Sequence, residues 1–394
     1  MFLLPLSFLI TVIFAQLPAF NLPPPLGPYD VGVKVVYLPA PKGQSPPRDI
    51  MTSIWYPTTP NNNSTTSPLA PLYDPAYASY LERTSGLPPG FTGSILSGAH
   101  LNAPLYNTKS KKPLSAAHKS CQNPDVILFS PGYGGSRQDN TATLTNLASY
   151  GYIVVGIDHP NDTAFISYPD GRNVEIEVIP LDVNDRDGPA RLSNQRVKDI
   201  QFVREALGKI AFLLPGLKTK VDTSHVGVFG YSLGGSAAAA TIIADNKHFI
   251  GGVNLDGTLW GPPRNETGVK NVPFMIVASQ NHTSCENFPD WYYFWKRGKG
   301  DLEIEIKVAG TQHGSFADFG AFYPLLRDAG IVPDLDPEGL TFGTIGARVL
   351  EVEAAYCEYH FFCLEADPAL IRGSECFLSL CFYREEGCVI EGTE

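Results

Sequence analysis

Basic residues are scarce relative to acidic ones in this chain of 394 residues, where 29 Lys and Arg face 40 Asp and Glu for a net charge of −11. No cation excess is available to displace counterions from a nucleic-acid backbone, which removes DNA and RNA from the expected partners. The chain also lacks a GxGxxG turn for a dinucleotide and a GxxxxGK[ST] loop for a nucleoside phosphate. Paired CxxC units with histidines nearby are missing too. Neither a cofactor nor a metal is therefore expected. The first fourteen residues, MFLLPLSFLITVIF, carry no charge but fall short of the roughly twenty apolar residues a spanning helix needs. Followed by Ala15, they read as a secretory signal peptide over residues 1–15.

The acidity is unevenly placed. Residues 351–394 hold ten Asp or Glu and two Arg, so −8 of the −11 belongs to that end and −3 to the rest. A nearly neutral body meets a neutral lipid or ester surface with little repulsion, which allows peripheral contact with lipid. Glycine and proline are abundant, 37 and 34 residues, without a collagen period, and this points to a loop-rich globular chain.

Two features agree with an oxidising exterior. Sequons occur at Asn62, Asn63, Asn161, Asn265 and Asn281. Of seven cysteines, Cys357, Cys363, Cys376, Cys381 and Cys388 crowd towards the end, which suits disulfides better than zinc. Cys121 and Cys285 each lie beside the end of an expected core strand and form a natural pair, although spacing does not fix the connectivity. An odd total leaves at least one thiol free or paired between chains.

Short apolar runs recur at 31–37, 50–56, 125–130, 152–157, 225–230, 250–255, 273–279 and 302–308. From the third onward they are continuous rather than alternating, as strands covered on both faces are. Helix-like stretches at 139–150, 189–213, 233–245 and 286–297 lie between them. This alternation predicts an α/β fold with a mostly parallel, doubly wound sheet, whose first two strands, joined without a helix, form an antiparallel N-terminal edge. Residues 57–120 read as a loop-rich insertion within a catalytic domain over 16–345. A helical stretch around 343–362 leads into an acidic, Cys-rich extension over 346–394.

The sharpest motif is Gly230-Tyr231-Ser232-Leu233-Gly234-Gly235, between the strand HVGVF and the helix SAAAATIIAD. A nucleophile elbow needs this setting: a strained strand-to-helix turn, with glycines where backbones crowd, exposing the serine hydroxyl. The hydroxyl then needs a base oriented by a carboxylate, in the chain order Ser, Asp or Glu, His. Four histidines follow Ser232. His248 comes too early, His282 sits inside a sequon, and His360 lies in an aromatic stretch before the Cys-rich end. His313, in GTQHGSF after the last expected strand, is where a base can descend onto the serine. For the acid, Asp256 ends the strand IGGVNLD and emerges beside the nucleophile. Asp290, beyond the next strand, is its competitor, but it reads better as a helix-start residue. The loop Ser130-Pro131-Gly132-Tyr133-Gly134-Gly135 can supply one oxyanion-hole amide, from Tyr133, and Leu233 the other. Asp158-His159-Pro160 reaches the same edge and reads as supporting structure. The aromatic run Trp291 to Trp295 reads as a helix packing its rings into the core.

These pieces resemble the secreted platelet-activating-factor acetylhydrolases and their fungal relatives, serine lipases of the α/β-hydrolase superfamily. The most specific match is His313-Gly314-Ser315-Phe316-Ala317-Asp318-Phe319, which resembles that family's His-x-x-Phe-x-Asp-Phe. The resemblance covers residues 30 to 330. It implies an α/β-hydrolase fold, no cofactor, Asp256 as the acid, and a short-chain ester of lipid type as substrate. One departure stands out: Pro131-Gly132 replaces the family's usual His-Gly. Polyester hydrolases and dienelactone-hydrolase-like esterases share the scaffold, as does a non-catalytic interaction protein of the same shape. The acyl donor is therefore not set by the fold.

Overall fold

The computed structural model describes residues 20–58, 67–106, 126–280, 289–298, 303–308 and 311–318, except 23, 183–184 and 186, together with His282, Gly320, Arg327 and 380–382. The described strands are β1 (Phe20–Asn21), β2 (Asp30–Leu38), β3 (Ile50–Thr58), β4 (Leu69–Pro71), β5 (Ile95–Leu101), β6 (Val126–Ser130) and β7 (Ile153–Ile157). They continue with β8 (Phe165–Ser167), β9 (Asn173–Glu175), β10 (Val226–Tyr231), β11 (Phe249–Leu255), β12 (Phe274–Ser279), β13 (Glu303–Val308) and β14 (Leu380–Phe382). The α-helices are α1 (Pro75–Ser85), α2 (Thr141–Ser149), α3 (Asp187–Lys209), α4 (Leu233–Ala244), α5 (Pro262–Asn265) and α6 (Pro289–Arg297).

Twelve of these strands form one sheet in the order β1-β5-β2-β3-β7-β6-β10-β11-β12-β13-β14, with β4 beside β5. From β7 to β13 every neighbouring pair is parallel. Each crossover between main-sheet strands from β6 to β13 passes through one of the helices α2 to α6, and helices pack on both faces. One core cluster joins Leu128, Val155, Val228 and Ile276 to Ile200 and Val203 of α3 and Ala238 of α4. The other joins Ile127, Phe129, Val154 and Phe229 to Leu144 and Leu147 of α2. Alternate residues of one strand thus enter opposite cores, which is why those strands read as unbroken apolar runs.

β2 and β3 pair antiparallel along nine residues, as the missing helix between them predicts. They are not the rim of the sheet, because β5 pairs with β2 and carries β1 and β4 beyond it. These outer strands come partly from the stretch read as loop. Within 57–120, helix α1 starts at Asp74, whose carboxylate accepts the amides of Ala76 and Tyr77 ahead of a proline in the first turn. Strand β5 turns Ile95, Ser97 and Ala99 inward. Two of those three are small, so the alternation is invisible as hydrophobicity.

The register fixes the site. Gly230 of β10 lies opposite Ser130 of β6, and Tyr231 opposite Leu255 of β11. The chain segments that follow, from 131, 232 and 256, therefore leave the same carboxyl edge side by side, where open α/β sheets bind ligands. At the other side, β14 pairs antiparallel with β13. The signal segment, the helix expected at 343–362 and the side chains of the seven cysteines lie outside the described residues. So do Asn62, Asn63 and Asn281. The sequon asparagines Asn161 and Asn265 are described and exposed. No helix among the described residues is long and apolar enough to cross a membrane.

Candidate active site

Ser232 sits between β10 and α4 with φ 55° and ψ −122°, a conformation that a non-glycine residue adopts only where its surroundings enforce it. The enforcement comes from crowding on both sides. A Cβ on Gly230 would stand 2.3 Å from the backbone of Gly234, and one on Gly234 would stand 1.9 Å from the Ser130 carbonyl oxygen. The glycines are needed for close approach, and the result is a serine lifted out of the sheet.

Ser232 Oγ lies 3.0 Å from His313 Nε2, and His313 Nδ1 lies 2.7 Å from Asp256 Oδ2. His313 opens a short 3-10 turn, His313–Phe316, after β13, and its ring stacks obliquely on Tyr231 at 4.9 Å. The turn is anchored from behind: Asp318 accepts the amides of Thr141 and Ala142 at 2.6 and 2.8 Å, and the Asp318 amide donates to the Asp139 carbonyl. The acidic residue of the His-x-x-Phe-x-Asp-Phe segment therefore ties the histidine loop to the start of α2.

Asp256 also has a positive φ, 55°, and is buried. Its amide donates to the Val277 carbonyl, and its Oδ1 accepts the Ser279 amide at 2.6 Å, which leaves Oδ2 aimed at the histidine. Burial alone would raise this carboxyl; the imidazoles of His282 and His313 and the Ser279 amide outweigh it and hold the group below the ordinary carboxylate range. An ionised carboxylate on Nδ1 selects the tautomer whose Nε2 is free to take a proton from serine.

Asp290 is elsewhere. It lies in the first turn of α6 and accepts the Leu259 amide at 2.9 Å, and burial raises its carboxyl. His248 pairs with Asp245 at 2.8 Å beyond the far end of α4. In the aromatic run, Trp291 and Phe294 are buried in the core, whereas Tyr292 and Tyr293 are exposed, so only one face of α6 points inward. Asp158 forms a buried ion pair with Arg137 and accepts its amide at 2.7 Å.

His282, set aside in the sequence because of its sequon, stands at the site: its Nδ1 is 2.9 Å from Asp256 Oδ2. The signal for it was positional, since it follows β12 by three residues, at the edge where Asp256 and Ser232 emerge. Asp256, His282 and His313 offer ligand atoms within 4.8 Å of one another, a donor set that a divalent ion could share. With Nε2 of His313 on Ser232, the geometry serves proton transfer.

The loop after β6 lies against the nucleophile: a Cβ on Gly132 would be 3.6 Å from Ser232 Cβ and 3.1 Å from the Tyr231 ring. Leu233 begins α4, so its amide is among those a helix leaves without an internal partner.

Fold and site together define an α/β hydrolase with a serine, histidine and aspartate joined in that order at the carboxyl edge of the sheet. The profile of the family "Platelet-activating factor acetylhydrolase, isoform II" matches residues 15–327, and the chain belongs to that family. It is 25% identical over 393 residues, 93% of this chain and 95% of the relative, to a probable 1-alkyl-2-acetylglycerophosphocholine esterase of Arthroderma benhamiae. It is 27% identical to the platelet-activating factor acetylhydrolase of Canis lupus familiaris over 58% of this chain and 53% of that relative. Among solved structures, a ferulic acid esterase from Streptomyces cinnamoneus matches with a TM-score of 0.69 and 25% identity, covering 93% of this chain and all of that one. The chain is an ester hydrolase of this family.

Proposed function

We propose that the protein is a secreted serine esterase that cleaves short acyl esters, with the sn-2 acetyl group of an ether phospholipid as the fitting substrate. The observation that carries this reading is the unbroken hydrogen-bonded row Ser232, His313, Asp256 at 3.0 and 2.7 Å, beside a glycine loop at the nucleophile. Ser232 Oγ attacks the ester carbonyl while its proton passes to His313 Nε2. Asp256 holds the Nδ1–H and stabilises the imidazolium. The amides of Tyr133 and Leu233 donate to the oxyanion. The tetrahedral intermediate expels the alcohol, which takes the proton from His313. Water then adds to the acyl-enzyme through the same base, releasing the acid and restoring the serine.

These steps draw on side chains and backbone amides alone. The catalytic domain spans 16–345, and 346–394 is an extension to it. Secretion rests on the apolar start and the sequons, two of whose asparagines are exposed; the product of a secreting host should shift on a gel after enzymatic deglycosylation.

The test is an acyl-length series of nitrophenyl esters beside an acetylated ether phospholipid, a feruloyl ester and a polyester film. A steep fall beyond a few carbons, with turnover of the phospholipid, is expected. Faster cleavage of the feruloyl ester or the film would replace the substrate assignment, and the absence of any ester cleavage would replace the enzyme itself.

A further inference from the structure

Behind the glycine loop lies a polar cluster that the reaction above does not use. Arg196 of α3 is 1% exposed, and every branch of its guanidinium is engaged. Nε and Nη2 hold the two oxygens of Asp162 at 2.6 and 2.7 Å. Nη2 also donates to the Gly132 carbonyl at 2.9 Å, and Nη1 donates to the Pro131 carbonyl and, at 3.2 Å, to Ser130 Oγ. Ser130 Oγ in turn meets His159 Nε2 at 2.9 Å, His159 Nδ1 meets Asp199 Oδ2 at 3.0 Å, and Arg48 closes the row on Asp199 at 2.6 Å. Arg196 and Asp199 are three residues apart on one helix and so lie on the same face of α3, Arg196 against the loop and Asp199 against His159 and Arg48.

We propose that Arg196 is a positioning residue for the oxyanion hole: by holding the Pro131 and Gly132 carbonyls inward it aims the following amides, above all that of Tyr133, at the carbonyl attacked by Ser232. This rests on the serine-esterase reading. The physical link is the planar trans peptide, in which the C=O of one residue and the N–H of the next point in opposite directions. Gly132 C=O is drawn into the protein by Arg196, so Tyr133 N–H faces away from it, and Gly132 itself lies against Ser232. An oxyanion hole acts only if its donors are fixed before charge develops. A buried ion pair adds little to stability against an apolar replacement, whereas a planar fork on two adjacent carbonyls fixes an orientation. Lysine has no such fork. Asp162 balances the charge and keeps the fork turned to the loop, and its Oδ1 lies 3.5 Å from the Gly134 amide.

The experiment uses the full chain with Arg196→Lys, Asp162→Asn and the paired apolar replacement Arg196→Met with Asp162→Leu, which leaves no buried charge uncompensated. Active sites are titrated with an organophosphonate, and kcat per titrated site, KM and the pH profile are measured on a short nitrophenyl ester. The expected result is a fall in kcat per site of about 100-fold for the paired replacement and less for Arg196→Lys, with KM and the position of the pH profile nearly unchanged. A folded variant with fewer titratable sites but wild-type kcat per site would overturn the proposal, because it would mark Arg196 as merely structural. If Arg196→Lys fails to fold, the paired replacement decides in the same way. Wild-type enzyme that does not titrate would sink the serine-esterase reading and this proposal with it; wild-type enzyme that titrates beside variants of unchanged kcat would sink this proposal alone.

Discussion

Two rows of serine, histidine and aspartate run through this molecule. In Ser232, His313 and Asp256 the separations are 3.0 and 2.7 Å; in Ser130, His159 and Asp199 they are 2.9 and 3.0 Å. The residue types, the ring nitrogens and the order are the same. Access and backbone differ. The side chain of His313 is 44% exposed and that of His159 is 0%. Ser232 stands on a strained turn at the head of a helix, whereas Ser130 ends a strand and shares its hydroxyl with Arg196. A triad of side chains is thus not yet an active site. It also needs an open face for the acyl group and amides aimed at the oxyanion, and the buried row, sealed from solvent, has no such face.

Serine variants test this comparison most severely. Ser232→Ala is expected to lower kcat on the order of 10⁶-fold and abolish phosphonate labelling, whereas Ser130→Ala should keep the label and lose at most about tenfold in rate. Mass spectrometry of the labelled peptide decides it, and a phosphonate found on Ser130 would break the comparison.

The acids come next. Asp256→Asn should lower kcat roughly 10⁴-fold with the fold intact, because the imidazole is then held in the wrong tautomer. Asp199→Asn should act on stability instead, by about 3–5 kcal/mol, since it leaves the Arg48 guanidinium without its carboxylate. Urea midpoints measured beside turnover separate the two, and a catalytic loss in Asp199→Asn equal to that in Asp256→Asn would erase the distinction.

The rows meet where Gly234 touches the Ser130 carbonyl, and a methyl group there has no room. Gly234→Ala should cost about 1–3 kcal/mol or more of stability and lower turnover together, and a wild-type thermal midpoint would refute the contact. The smallest expected effect is on pH. Burial, helped by the Arg196 charge, holds the His159 pKa below its ordinary value against the pull of Asp199. A depressed histidine means that the unfolded chain binds more protons, so this contribution is fully present above about pH 6.5 and is lost as pH falls below it. A urea midpoint followed from pH 7 to 5 should decline less steeply in His159→Gln; identical slopes would show that the buried histidine does not titrate between the folded and unfolded states.

Legibility in the sequence followed burial and constraint. The central strands could be read because both faces are covered, which forces runs such as VILFS and FMIVAS. The elbow could be read because steric crowding demands glycine at fixed spacing from the serine. Helix α1 went unread although Asp74-Pro75 is a cap followed by a first-turn proline, because a Pro-rich setting drowned the signal. The edge strand β5 was hidden by its small inward residues.

Arg196 and His282 were missed in the sequence for a different reason. Arg196 lies in the polar helix RLSNQRVKDI, where an arginine is ordinarily solvated, and only the packing of α3 under the glycine loop makes it buried. His282 was judged by its local sequon, while its place is set by a strand register shared with Asp256 across the sheet.

The sequence by itself determined the α/β architecture, the serine at the elbow, and the candidates for base and acid, because each of these rests on contacts between near neighbours or on a periodicity imposed by burial. The tertiary structure set Asp256, the acid the sequence already favoured over Asp290, against His313, and it alone decided that a second serine, histidine and aspartate row is sealed from solvent and that an arginine stands behind the glycine loop. These depend on which strand ends come to lie side by side, and that is settled by the long-range register of the sheet rather than by any segment of the chain.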